Sequence, residues 1–277
     1  MENNPRSIKY YVKRYLLKHQ DVFKDKKVID IPCGNGVTTG ILKEIGADPV
    51  PIDLFPEYFK IQGMACIKAD MTEELPIENA SIDYIISQEG LEHISDQAKV
   101  FKEFNRVLKN KGELLITTPN FSNLQSRLYH FLSESEKTLS FMPPNEIDSI
   151  WMTNENENRD IYFGHIFLIG VQKLRLLAKL AGFKIKSVEK TKLKTTSLLL
   201  FIILYPLILL INFITYRRNL KKYKSLDPKK TFHEIFKLSV NPGILLGSHL
   251  FIIFQKEKSV SEAESSLKKI HKTFATT

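Results

Sequence analysis

The stretch Lys27-Val28-Ile29-Asp30-Ile31-Pro32-Cys33-Gly34-Asn35-Gly36 begins as a β-rich apolar run and ends in two glycines. A segment with helical periodicity follows, from about Val37 to Ile45. The start of such a helix presents free backbone N–H groups, and glycines let a ligand approach the chain closely. Turns of this kind also occur where they serve tight packing alone. The stretch therefore predicts a strand–turn–helix unit but does not specify whether it binds a ligand.

The same alternation of strands and helices continues along the chain. Further strands are predicted over residues 49–53, 66–69, 82–87, 113–117, 183–188 and 249–254, and helices over 7–24, 96–109 and 170–181. This order predicts an α/β fold with a Rossmann-like, seven-stranded sheet and helices on both faces. The polar segment 133–162 is typical of a mobile lid.

Acidic residues follow the next two predicted strands. Asp53 ends the strand that comes after the glycine turn, where an acid can accept both hydroxyls of a ribose. Asp70 follows the third strand, within reach of an adenine amino group. A dinucleotide fingerprint requires a glycine at the third position after Gly36, but Thr39 stands there. An NAD-dependent oxidoreductase is therefore disfavoured.

These residues together resemble the class I S-adenosylmethionine-dependent methyltransferases, in particular the branch that includes the ubiquinone-biosynthesis O-methyltransferases. The resemblance covers about residues 25–190 and the last strand. It rests on the segments DIPCGNG at 30–36, QEGLEHI at 88–94, NRVLK at 105–109 and LITTPN at 115–120. It implies an enzyme that uses S-adenosyl-L-methionine as its methyl donor.

The resemblance also implies which residues bind the cofactor. Seven residues would contact it: Asp30, Gly34 and Gly36 the methionine part, Asp53 the ribose, Asp70 and Met71 the adenine, and Gln88 the side of the sulfonium. One departure from the family pattern is Pro32, which replaces the usual first glycine. Proline removes one N–H and fixes φ, so Gly34 and Gly36 are the stronger positions.

A hydroxyl acceptor requires a base with a pKa near neutrality, and two histidines qualify as catalytic candidates. His93 lies just beyond the fourth strand, and its alternative role is to tie down a helix start. His165 follows the polar segment among aromatic residues, and its alternative role is ordinary packing. Glu89 and Glu92 could assist a base or hold a metal, but their spacing does not demand a metal site.

The composition of the chain indicates the class of protein and the compartment in which it is expected. Apolar residues make up 43% and charged residues 26%, as in globular proteins. The two cysteines, Cys33 and Cys66, are too few for a disulfide framework, and the first residues lack the pattern of a signal peptide.

The net charge is +9, and residues 184–277 carry 18 Lys and Arg against 6 Asp and Glu. Because this excess flanks an apolar run, an anionic membrane surface is the expected partner, and no nucleic-acid partner is expected.

That apolar run forms an insert. Residues 198–211 carry no charge, and Thr195 to Tyr216 would extend about 33 Å as a helix. Basic residues at both ends favour the cytoplasmic side, and Pro206 favours a helix–break–helix that lies on the membrane or re-enters it. A core or dimerisation helix is the alternative. The expected units are a methyltransferase domain (1–191 and 247–257), a membrane-associating insert (192–246) and a tail (258–277).

The leading hypothesis is thus a methyltransferase, peripheral or monotopic at the cytoplasmic membrane face. Its acceptor would be a small molecule, a lipid or a lipid-linked glycan, methylated at a hydroxyl. The alternative from another class is a membrane-bound protein that binds S-adenosylmethionine or serves as a scaffold without turnover.

Overall fold

The computed structural model describes residues 2–135, 142–147, 149–152, 161–223 and 229–275. The strands in these ranges are β1 (Lys27–Asp30), β2 (Asp48–Asp53), β3 (Ile67–Lys68), β4 (Ile82–Gln88), β5 (Leu108–Pro119), β6 (Ile150–Met152), β7 (Ile161–Phe163), β8 (Phe183–Val188) and β9 (His249–Lys256). The α-helices are α1 (Ile8–Lys18), α2 (Gln20–Phe23), α3 (Val37–Glu44), α4 (Gln97–Val107), α5 (Leu124–Ser133), α6 (Val171–Leu180), α7 (Thr195–Lys222), α8 (Lys229–Ser239), α9 (Pro242–Leu246) and α10 (Val260–Ala275).

Seven strands form one sheet in the order β3-β2-β1-β4-β5-β9-β8. The pairs from β3 through β5 are parallel, and β9 pairs antiparallel with both β5 and β8. The strand order reverses between β1 and β4, so their carboxyl ends lie side by side at the point where ligands bind in such sheets. The predicted Rossmann-like, seven-stranded sheet is confirmed.

Helices cover both faces of this sheet, as the alternation of buried residues requires. Val28 belongs to an apolar cluster with α1 and α3, whereas its neighbour Ile29 belongs to a second cluster with α4 and α6. Adjacent residues of a strand point to opposite faces, so the strands β1, β4, β5 and β9 supply residues to both clusters. Leu238 of α8 and Ile244 of α9 are buried in the second cluster. The last part of the predicted insert therefore packs on the sheet domain.

Several elements differ in detail from the sequence prediction. The helix predicted over 7–24 is divided into α1 and α2, and β5 begins at Leu108, where the sequence predicted the last turn of a helix. Helix α5 was not predicted, although its apolar residues Leu124, Leu128 and Phe131 recur at helical spacing. Of the predicted lid over 133–162, residues 136–141, 148 and 153–160 lie outside the described residues; part of the remainder forms the hairpin β6–β7. The tail is helical, as α10.

The apolar run is one continuous helix, so the predicted break at Pro206 is wrong. Helix α7 passes through Pro206 and has 28 residues. A proline removes a single helical hydrogen bond, and the apolar, helix-favouring residues on both sides extend the helix through it. Among the described residues, α7 is the one helix that is long and apolar enough to cross a membrane, judged by length and composition alone.

Candidate functional site

The glycine turn after β1 has the backbone conformation that its residues predict. Gly34 has φ +51° and Gly36 has φ +87°, a region that residues with a side chain avoid. A Cβ on Gly36 would lie 2.6 Å from Cγ1 of Ile61, so a larger residue has no room. A Cβ on Gly34 would meet no atom within 4 Å, so the turn borders open space there. That space adjoins the N-terminus of α3.

Asp53 closes this turn from the end of β2. Its Oδ2 accepts the backbone N–H of Gly34 at 2.7 Å, and its Oδ1 accepts the N–H of Phe55 at 2.9 Å. The residue is 6% exposed. Asp53 therefore fixes the shape of the glycine turn, and each carboxylate oxygen has a second lone pair with which to accept from a ligand. The sequence did not predict this structural role.

Asp30 lies at the end of β1, enclosed by the protein. Its Oδ2 accepts the hydroxyl of Thr39 at 2.6 Å. Burial raises the pKa of the Asp30 carboxyl to about 7, and the nearby charge of Asp53 adds to the shift, while the bond from Thr39 opposes it. A cation bound against Asp30 would favour the charged carboxylate. Thr39, which replaces the glycine of a dinucleotide fingerprint, thus binds this acid.

Two of the three remaining predicted cofactor residues lie beside the same turn. Gln88 ends β4, and its Oε1 accepts the hydroxyl of Thr38 on α3 at 3.2 Å. Met71 is buried beside Gly90, at which a Cβ would lie 3.3 Å from the methionine Cε. Asp70 accepts both the N–H and the hydroxyl of Thr72 at 2.7 Å, which forms a tight turn after β3. Gln88 and Met71 are thus beside the turn, whereas the hydrogen bonds of Asp70 are local.

The two candidate bases are neighbours in the structure. The rings of His93 and His165 lie edge to face with their centroids 4.9 Å apart. Nδ1 of His93 is 2.8 Å from the carbonyl oxygen of Phe163. Partial burial and the adjacent His93 lower the pKa of His165, which favours the neutral form of its ring. Gln97 joins the two segments by donating to the carbonyls of Leu91 and Phe167, each at 2.8 Å.

Two carboxylates complete the cluster around these rings. Glu92 is fully buried; its Oε2 accepts the hydroxyl of Thr118 at 3.0 Å, while Oε1 has no hydrogen-bond partner among the described residues. Burial, followed by the charge of Glu89, raises the pKa of Glu92, so this carboxyl tends to hold a proton. Glu89 accepts the hydroxyl of Thr117 at 3.0 Å and lies 3.3 Å from Nε2 of His249.

His249 is the site residue that the sequence reasoning missed. It begins β9, which pairs with β5 and so reaches the carboxyl end of β4 from a distant part of the chain. Its Nδ1 lies 3.0 Å from the Ser248 hydroxyl and its Nε2 faces Glu89. A polar residue at the start of an otherwise apolar strand was the one local signal that pointed to it.

The site also contains a group of side chains that could hold a divalent metal ion. One ligand atom each of Glu92, His93 and His165 lie within 4.8 Å of one another. One carboxylate with two imidazoles suits zinc and related ions. The sequence spacing alone did not demand a metal, since His165 is far from His93 along the chain.

Comparison with solved structures identifies the fold. The structure is similar to a solved S-adenosylmethionine-dependent methyltransferase from Archaeoglobus fulgidus, with a TM-score of 0.53 and 17% identity over 92% of this chain and 97% of that one. A second solved methyltransferase of this type, from Mesorhizobium loti, gives a TM-score of 0.51 at 13% identity over 90% and 98%. At these identities the likeness shows the fold.

The chain belongs to a methyltransferase-domain family, whose family model matches residues 2–188. A ubiquinone biosynthesis O-methyltransferase from Colwellia psychrerythraea is 28% identical over 130 residues, which cover 44% of this chain and 52% of that protein. A probable S-adenosylmethionine-dependent methyltransferase from Mycobacterium tuberculosis is 27% identical over 103 residues, covering 34% and 36%. The chain thus matches about half the length of these curated relatives, or less. S-adenosylmethionine is the cofactor of this class.

The residues around the glycine turn fit that cofactor. The open space beside Gly34, the acid at the end of β2 and a buried acid that a cation would ionise suit a nucleoside that carries a free amino acid on a sulfonium. The turn requires glycine at position 36, because the backbone has a positive φ there and a Cβ would overlap Ile61 and Phe59.

Proposed function

We propose that this protein transfers a methyl group from S-adenosylmethionine to a hydroxyl oxygen of its acceptor. The observation that carries the proposal is the placement of an imidazole pair, His93 and His165, at the same sheet edge as the glycine turn closed by Asp53. Methylation of a hydroxyl requires a binding site for the methyl donor and, beside it, a group that accepts the hydroxyl proton.

The chain's own residues would act mainly by positioning and proton transfer. When bound, S-adenosylmethionine supplies an electrophilic methyl group on a positively charged sulfur. His93 or His165 accepts the proton of the acceptor hydroxyl as its oxygen becomes methylated. The carbonyl of Phe163 holds the ring of His93 in one orientation. A base needs such a fixed orientation in order to face its substrate. Alignment of the two reactants provides most of the remaining rate enhancement.

We place the activity at the cytoplasmic face of a membrane, on a small-molecule, lipid or lipid-linked glycan acceptor. The support is the apolar helix α7, which starts beside the carboxyl edge of the sheet. The hydroxyl of Ser197 accepts the N–H of Gln125 at 3.0 Å, a few residues after the end of β5. An acceptor with an apolar part could therefore remain in the lipid while its hydroxyl enters the site.

Isotope transfer tests this proposal directly. The purified protein is incubated with methyl-deuterated S-adenosylmethionine and membrane lipid extracts, and labelled products are identified by mass spectrometry. We expect label in a methoxy group of an extracted acceptor. Asp53→Ala should abolish transfer and donor binding, whereas Asp48→Ala, which removes an exposed aspartate at the other end of β2, should retain both.

The alternative is a protein that binds S-adenosylmethionine without turnover. It would give a calorimetric binding signal with the donor and no labelled product from any extract. Transfer of label to nitrogen or carbon instead of oxygen would retain the methyltransferase and overturn the hydroxyl assignment.

A further inference from the structure

Helix α7 has one side against the protein and one apolar side open to solvent. Its more buried positions recur every three or four residues: Ser197, Leu200, Phe201, Leu204, Tyr205, Ile208, Asn212 and Tyr216. The opposite side exposes ten large apolar residues between Leu198 and Ile214. Ile202 and Ile203 are 70% and 74% exposed. A continuous apolar surface of this kind indicates a partner.

The start of α7 is fixed to the sheet domain. The N–H of Lys194 donates to the carbonyl of Leu246 at 2.9 Å, and Leu193 pairs with Gly247 as a short bridge. One turn later, the buried Ser197 bonds to Gln125 of α5. The first turn of the helix therefore cannot leave the domain without breaking these contacts.

The other end of α7 is fixed to the same domain through α8. Tyr216 packs on Phe236 with ring centroids 5.5 Å apart. Helix α8 is in turn held by α6: Gln172 donates to the carbonyl of Ile235 at 2.9 Å, and Arg175 pairs with Glu234 at 3.3 Å. Positions 197 and 216, about 28 Å apart along the helix, are thus both held on one side of the protein.

A helix fixed at both ends to one domain cannot cross a bilayer. Crossing would place its two ends on opposite faces of the membrane. Both ends of α7 instead contact one domain: the start bonds to Leu246 of α9, the end packs on α8, and both of these helices bury residues in the apolar cluster on one face of the sheet. The exposed apolar side extends along the helix rather than around it. This geometry is that of a helix lying in the plane of the interface.

Basic residues follow the apolar residues on the exposed side of α7. Arg217 and Arg218 follow Ile214 by three and four positions, and Lys221 follows Arg217 by four, so all three lie on the same side and are exposed. The chain has no acidic residue from position 190 to position 226. A surface that is apolar and then basic is complementary to an interface of acyl chains and anionic head groups.

We propose that the exposed side of α7 binds an anionic lipid bilayer in the plane of the membrane, with residues 198–214 in the interface and Arg217, Arg218 and Lys221 on lipid phosphates. The inference deepens the proposed location at the membrane face, but it does not depend on methyl transfer. A second copy of the chain is a poorer occupant. Antiparallel pairing would bring this basic end against Lys192 and Lys194, with no acid on either helix to compensate.

Vesicle flotation without any methyl donor tests the surface. We expect the protein to bind vesicles of phosphatidylcholine mixed with phosphatidylglycerol and to bind pure phosphatidylcholine at least tenfold more weakly. Ile202→Asp with Ile203→Asp should reduce binding to the anionic vesicles at least tenfold. The matched control is Val22→Asp, an exposed apolar residue on α2, which should bind like the wild type. Arg217→Glu with Arg218→Glu should reduce binding to the anionic vesicles about tenfold. The matched control, Lys24→Glu with Lys26→Glu, should bind like the wild type.

Depth measurements test the in-plane orientation. In a Trp151→Phe background, single tryptophans at Leu199, Ile203 and Leu210 are quenched by lipids brominated at different depths. An in-plane helix gives the same shallow depth at all three positions. A progressive change in depth from 199 to 210 would show a crossing helix. Failure of the wild type to bind vesicles, or a stable dimer in solution that Ile203→Asp dissociates, would also overturn the proposal.

Discussion

Asp30 is expected to make folding stability depend on pH in the direction opposite to that of most acids. Its carboxyl is 1% exposed, and burial raises its pKa from 3.8 to about 7. Between these two pH values the unfolded chain has released this proton while the folded chain still holds it. Stability therefore falls as pH rises through this window and becomes constant above about pH 7.

The size of the effect follows from the shift. One pKa unit corresponds to about 1.4 kcal/mol, so the ionised carboxyl costs the folded state at most about 4 kcal/mol by pH 8. Asp30→Asn keeps the size and an acceptor for the Thr39 hydroxyl, but it carries no charge. We expect the variant to match the wild type at pH 4 and to gain up to about 4 kcal/mol at pH 8. For a chain of this length that is about 8 °C in melting temperature.

Thermal melts from pH 4 to pH 9 measure this difference. The matched control is Asp48→Asn, which removes an exposed carboxyl, and its melting temperature should follow the wild type at every pH. Superimposable profiles for Asp30→Asn and the wild type would refute the reasoning. If the cofactor's ammonium lies against Asp30, S-adenosylhomocysteine should stabilise the wild type at pH 8 and stabilise Asp30→Asn much less.

Three further predictions address the turn, the base and the core. Gly36→Ala should abolish cofactor binding because its Cβ would overlap Ile61, whereas Gly63→Ala, which has a similar positive φ but open space, should bind normally by calorimetry. His93→Ala and His165→Ala should each reduce turnover at least tenfold with donor affinity unchanged; wild-type turnover in both would exclude these bases. Asn105→Ala leaves the carbonyls of Ala181 and Lys258 without their donor and should cost about 2 kcal/mol in urea unfolding.

Local patterns were sufficient for the elements around the glycine turn. The strand–glycine–helix unit and the strand from 183 to 188 were predicted with nearly the observed bounds. The two acids were correctly placed at the ends of the second and third strands. These features depend on neighbours in sequence: alternation defines a buried strand, and a positive φ requires glycine. Pro206 misled the prediction, because a local rule about helix breaking was outweighed by the long apolar helix around it.

The sequence by itself determined the fold class, the glycine turn and the presence of one apolar run long enough for a membrane. Only the tertiary structure decided that His249 faces Glu89, that His165 packs on His93, and that both ends of α7 return to one domain. Each of these depends on segments far apart in the chain that the sheet brings together. Side-chain periodicity carries no information about which distant segments become neighbours, so this part of the site required the fold.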